Sequence, residues 1–274
     1  MQILNTFLAA KKVDITSSED LIHTSQHFIA VIDGATSQSG MTWSGMSGGQ
    51  FVASVIDEVL TDLPPNSTAN SSITIITERV KTAFLDIGID QAIAEGKTEP
   101  PAAVLCVINK TRGEIWMVGD CQYRLDDDVY APGKKIDIIL AEARALYLEA
   151  ELKQGKTIQD LLRNDTGREF ISPMLKRQST FLNNLRSDYG YPAISNSPVP
   201  EHLIHVRKIP KAAKKLILTT DGYPSLKSSF EESEAYLANL LKKDPLLFRD
   251  YKSTKGLVAG NISFDDRAWV EIKL

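Results

Sequence analysis

Cysteine is scarce. Cys106 and Cys121 are the only two in 274 residues, and both lie in or beside apolar runs. That argues against a disulfide framework or a cysteine-based zinc site and predicts reduced, buried thiols in a cytoplasmic protein. No apolar run approaches the roughly 20 residues that cross a bilayer, so no membrane association is expected. Met1 to Lys12 holds a short apolar patch with no basic leader, which argues against a signal peptide. Basic residues are not in excess: 31 Lys and Arg stand against 35 Asp and Glu, a net charge of −4. Nucleic acid is therefore not an expected partner. The sequence also lacks a G-x-x-x-x-G-K-[ST] phosphate loop and a G-x-G-x-x-G fingerprint in a strand–helix context. The four histidines, at 23, 27, 202 and 205, are spaced as ligands only if they lie on helices, and both pairs lead into strand candidates.

Two stretches stand out in what is there. Phe28 to Ile32 is an unbroken apolar run that ends in Asp33-Gly34, and Leu216 to Thr220 ends in Asp221-Gly222. A short apolar run closed by a turn reads as a buried strand, which would carry each Asp to a strand end. Between and after them the pattern alternates by blocks. A loop rich in small residues, Ala35 to Gly49, precedes two amphipathic helices, one over residues 51–60 and one from Ile73 towards Glu95. Ala102 to Ile108, Glu114 to Val118 and Gln122 to Leu125 read as an antiparallel ribbon, because the connections are too short for crossover helices. Ile136 to Leu152 predicts a helix with Ile139, Leu140, Ala143, Leu146 and Ala150 on its apolar face, followed by a helical zone from about Ile158 to Leu185. Strands at 203–209 and 215–220, a helix at 231–243 and a closing strand at 267–273 complete the chain. Grouped strands and grouped helices predict an α+β fold rather than alternating βαβ units.

Asp20, Asp33, Asp120, Asp221, Asp265 and Asp266 all fall at strand ends or turns. Carboxylates gathered at one end of a sheet repel each other, and hard divalent cations such as Mg²⁺ or Mn²⁺ relieve that repulsion through oxygen-only ligands. Phospho-aspartyl chemistry of the D-x-D-x-T kind is not supported. The positions two either side of Asp33 are Val31 and Ala35, and those around Asp221 are Thr219 and Tyr223.

Five blocks, in order, resemble the metal-dependent serine/threonine protein phosphatases of type 2C. They are Ser18-Glu19-Asp20, Val31-Ile32-Asp33-Gly34, Val118-Gly119-Asp120-Cys121, Leu218-Thr219-Thr220-Asp221-Gly222 and Ser263-Phe264-Asp265-Asp266-Arg267. The resemblance implies a single domain over 1–274 with a four-layer α/β/β/α sandwich, two antiparallel sheets flanked by helices, and a divergent helical segment at about 141–200. It implies two divalent cations, Mn²⁺ or Mg²⁺, held by Asp33, the Gly34 carbonyl, Asp221 and Asp265, with Asp20 nearby and Asp120 at a third, labile ion. Asp33 and Asp221 would be catalytic, and the substrate would be a phosphorylated protein, hydrolysed by water activated between the metals. Two departures stand out. Ala35 replaces the family's candidate acid for the leaving group, and Ile15 falls where many members carry a phosphate-gripping Arg. That leaves Lys11, Lys12, Arg124 or an arginine of the helical segment to hold the phosphate. Two other readings stay open: a catalytically weak or inactive regulatory module on the same fold, and a phosphatase for small metabolites.

Overall fold

Residues 28–34 form a strand that is apolar on both faces because both faces are covered. The computed structural model describes residues 1–37 and 39–274. Its strands are β1 (Gln2–Ala9), β2 (Asp20–Thr24), β3 (Phe28–Gly34), β4 (Thr42–Trp43), β5 (Met46–Ser47), β6 (Ala103–Asn109), β7 (Glu114–Val118), β8 (Gln122–Leu125), β9 (Asp128–Tyr130), β10 (His205–Lys208), β11 (Lys215–Thr219) and β12 (Arg267–Lys273). Its helices are α1 (Gly48–Asp62), α2 (Ala69–Ile87), α3 (Ile89–Ala94), α4 (Lys135–Lys153), α5 (Ile158–Arg163), α6 (Thr166–Arg177) and α7 (Phe230–Lys243).

Two five-stranded antiparallel sheets make the sandwich, in the orders β10-β7-β6-β3-β2 and β1-β12-β11-β8-β9. Alternate residues of β3 serve two cores. Ile29 and Val31 meet Cys106, Leu218 and Val270 between the sheets. Phe28, Ala30 and Ile32 meet Val52, Ile56 and Ile76 of α1 and α2 on the outer face. Burial on both faces is what makes a strand read as a continuous apolar run. The second sheet is covered more lightly. Tyr223, Leu226 and Phe230 pack on Ile217 and Trp269, while α4 and α6 pack on each other through Ile136, Leu140, Ile171 and Leu175.

Helix α1 is fixed at its start. Ser47 caps it in a reciprocal box with Gln50, an arrangement that satisfies two otherwise orphaned backbone donors. The Gln50 amide also donates to the carbonyls of Thr16 and Ser18, which ties the helix to the segment that enters β2. Gly49 lies against Gly34 so closely that a Cβ on either would come within 2.7 Å of the other's backbone. Glycine at both positions therefore lets the helix meet the end of β3.

Several expectations need correction. β8 does not extend a ribbon from β7: the Gly119-Asp120-Cys121 turn carries the chain from one sheet to the other. Gly119 makes that turn at φ +94, where an added Cβ would strike Val104. Strand β1 pairs with β12 at the edge of the second sheet. The second helix stops at Gly88, in the left-handed region at φ 78, before the short α3. The zone at 158–185 breaks into α5, α6 and a 3-10 turn at Gln178–Phe181. On α4, Ile139 and Leu146 are exposed, whereas Ile136, Leu140, Ala141, Arg144, Ala145 and Leu148 are buried. The apolar stripe was misread because Arg144, a charged residue, holds a place in the buried face. Gln38, in the loop expected at Ala35 to Gly49, lies outside the described residues. The rest of that loop contains the small β4–β5 ribbon.

Candidate active site

All six acids come together at one end of the sandwich, delivered by both sheets. β2 and β3 pair with Asp20 directly opposite Asp33, and directly opposed side chains on antiparallel strands stand about 4.5–5.5 Å apart at Cβ. Asp221 follows β11 and Asp265 precedes β12, both on the second sheet. Asp120 sits in the turn that crosses between sheets. Thr220 joins the two sets: its hydroxyl donates to Asp20 Oδ2 at 2.6 Å and accepts from the Ala268 amide at 2.9 Å. Asp33, Gly34, Asp120, Asp221, Asp265 and Asp266 line a cavity of about 610 Å³. Its other walls come from α4, α6 and residues 251–255.

Asp266 faces a different task from its neighbour. Its carboxylate accepts from the backbone amides of Lys11 (2.6 Å) and Glu19 (3.0 Å) and pairs with Lys11 Nζ (3.3 Å). It thus staples the end of β1 and the start of β2 to β12. Asp265 instead pairs with Lys255. Glu19 accepts from Thr36 and Ser47 and pairs with Lys11 at 3.2 Å, which holds the loop after β3 beside the cavity.

The electrostatic strain of this grouping falls on three acids. Burial pushes Asp33 well above the usual carboxylate range, and Asp20, Asp221, Asp265 and Asp120 push it further. Burial also raises Asp20, against the pull of the Thr220 hydroxyl, with Asp265 adding to the rise. Asp221 is pushed up to about 7 by burial and by Asp265 and Asp120, against Lys255 and Lys134. Like charges brought into a poorly solvated space hold protons more tightly.

Lysines answer part of this charge. Lys134 Nζ lies 3.1 Å from Asp120 and 3.8 Å from Asp137. Burial opposes charge on Lys134 and Lys255, yet their carboxylate neighbours hold both above the usual lysine value. Among the described residues, no group of three or more His, Cys, Asp or Glu side chains is already set to enclose a metal ion. The donor chemistry nevertheless fits a hard dication: every candidate ligand is an oxygen, and burial together with neighbouring carboxylates makes three of the acids hold their protons tightly.

Sequence reasoning did not single out Lys134 or Lys255. Neither belongs to a motif or to a periodic apolar pattern; one precedes α4 and the other lies in a loop. Of the cations that sequence reasoning put forward for phosphate, Lys11 is committed to Glu19 and Asp266 and Lys12 is exposed. Arg124 turns to the Asp126 carbonyl and to Asp127.

No family model matches the sequence, and no curated protein does. Among solved structures, the chain is similar to the Mycobacterium tuberculosis serine/threonine phosphatase PstP/Ppp, at 14% identity and a TM-score of 0.49, covering 100% of this chain and 99% of that one. The catalytic domain of PstP in complex with two manganese ions is 12% identical, with a TM-score of 0.49 and 99% of each chain covered. Stp1 from Staphylococcus aureus is 11% identical, with a TM-score of 0.47, covering 100% of this chain and 96% of that one. Identities this low transfer no chemistry between chains, so function has to be argued from the residues themselves.

Proposed function

We propose that this protein is a metal-dependent phosphomonoester hydrolase acting on phosphoserine or phosphothreonine in proteins. The observation that carries this reading is the convergence of Asp33, Asp120, Asp221 and Asp265 from both sheets on one cavity end, with Asp20 directly opposite Asp33 on the paired strand, and three of the acids raised by burial and by their like-charged neighbours. Asp33, the Gly34 carbonyl, Asp221 and Asp265 would hold two Mn²⁺ or Mg²⁺ ions, with Asp20 supporting them and Asp120 serving a third. Dications there supply an acidified water and neutralise charge on the phosphoryl group. Asp33 and Asp221 fix the geometry in which the phosphate is presented. Ala35 lines the cavity and cannot itself donate a proton to the leaving oxygen. Exposed Val129 and Ile138 at the cavity rim suit the apolar flank of a polypeptide better than a small sugar phosphate.

Asp33→Asn and Asp221→Asn are each expected to lower Mn²⁺-dependent hydrolysis of p-nitrophenyl phosphate by at least about tenfold. Unchanged rates in both variants would sink the assignment. A second reading, a regulatory module that does not hydrolyse, draws support from the lysines seated on Asp120 and Asp265. Absence of Mn²⁺-dependent turnover by the purified wild type, together with retained binding of a phosphopeptide, would favour it.

A further inference from the structure

A phosphate ester that enters a cavity lined by so many carboxylates needs cations besides any metal, and the cavity has a built source of them. Four basic side chains line it: Lys134, Arg168, Lys252 and Lys255. Lys252 is exposed and paired with Glu142, and Lys134 is shared between Asp120 and Asp137. Arg168 differs. Its one side-chain hydrogen bond runs from Nη1 to the Thr254 carbonyl, at 2.7 Å. Among the described residues its Nε and Nη2 find no protein acceptor. The other arginines of the helical segment do not serve: Arg163 pairs with Asp160, and Arg177 and Arg186 are exposed, as is Lys176.

The bond to Thr254 also places Lys255, the next residue. A second arginine holds the same loop: fully buried Arg144 donates to the carbonyls of Leu247 (3.2 Å) and Ser253 (3.0 Å) while paired with Asp165. Gly256 leaves room for it, since a Cβ there would come within 2.8 Å of Arg144 Nη2. The ammonium of Lys255 is thus presented to the cavity by a fixed loop, and the guanidinium of Arg168 by helix α6, which braces that loop.

We propose that Arg168 grips the phosphoryl group of the substrate through its unused N–H pair, with Lys255, which is paired with Asp265, adding a point charge beside it. A planar guanidinium offers two parallel donors to a phosphate, which an ammonium cannot. The inference rests on reading the cavity as a phosphoester site, but its test does not depend on turnover.

The test is calorimetric titration of inorganic phosphate into wild type, Arg168→Gln, Arg168→Lys, Lys255→Gln and Lys252→Gln, each with saturating Mn²⁺, beside a Mn²⁺ titration of each. Arg168→Gln is expected to weaken phosphate binding about tenfold or more, with Mn²⁺ affinity not weakened, because Arg168 bonds no candidate ligand and its charge near Asp265 only opposes the ion. Arg168→Lys, which keeps charge and fold but loses the fork, should recover only part of that loss. Lys255→Gln should also weaken phosphate, but with a change in Mn²⁺ affinity because it releases Asp265, and Lys252→Gln should change neither. Phosphate binding by Arg168→Gln as tight as wild type overturns the proposal, as does an equal loss in Lys252→Gln or no phosphate binding by wild type. Binding that depends on Arg168 without any hydrolysis would support the grip while removing the hydrolase reading.

Discussion

Asp221 is the residue at which charge, burial and pH meet most directly. Its carboxyl in the folded chain titrates near 7, above the ~3.9 of an unfolded Asp. The folded state therefore binds that proton more tightly than the unfolded state. The stabilisation is full below the unfolded value and is lost as pH rises through about 7. Metal-free Asp221→Asn should accordingly melt above metal-free wild type at pH 8, by about 2–4 °C for each kcal/mol of repulsion relieved. The gap should shrink as the pH falls towards 4. Thermal melts in chelator at several pH values decide it, and a gap that stays constant with pH would show that Asp221 is not under this strain. The acids were legible in the sequence because Asp33 and Asp221 end apolar runs, Asp120 sits in a Gly-containing turn, and Asp20, Asp265 and Asp266 lead into strands. The division of labour between Asp265 and Asp266 was less so, since it depends on Lys11 and Glu19, roughly 250 residues away in the chain. The lysines on Asp120 and Asp265 were not legible at all, because long flexible side chains leave no periodic trace.

Among the elements, the sandwich strands followed from pattern and the helical segment did not. β3 and β6 are apolar on both faces, and β11 and β12 turn a continuous apolar face, Leu216, Leu218, Ala268, Val270 and Ile272, to the other sheet, so all four read plainly. α4 was misread because its buried face is organised around an ion pair. Arg144 and Asp165 are in contact across α4 and the start of α6, and from there Arg144 reaches the loop after α7. Removing one partner of a buried pair leaves the other uncompensated, at a cost of about 3–5 kcal/mol. Arg144→Met should lose stability on that scale in denaturant melts. It should also speed amide exchange or proteolysis at residues 247–255 ahead of the sheets. Uniform loss of protection across the whole molecule would mean that the arginine supports the core in general rather than this loop. Similarly, the turn at Gly119 was legible as a turn, but its destination was not. A hairpin and a passage between sheets begin with the same glycine, and only the pairing of β8 with β11 and β9 separates them.

For the whole molecule, a ligand that binds only the folded chain stabilises it by mass action. Mn²⁺ at about one hundred times its dissociation constant should add about 2.7 kcal/mol, or ~5–10 °C in melting temperature. A chelator should reverse the gain, and it should be larger at pH 8 than at pH 6, because carboxylates must shed protons to bind. A melting temperature indifferent to Mn²⁺ and to Mg²⁺ would remove the metal site from consideration. Since Asp20 and Asp33 hang from one sheet and Asp221, Asp265 and Asp266 from the other, the side chains sandwiched between the two sheets act as a caliper. Val31, Cys106, Leu218 and Val270 set how far Asp33 stands from Asp221 without touching either carboxylate. A methylene added or lost in that filling, remote from any solvent, would retune the jaw opening and so the size of ion the protein prefers.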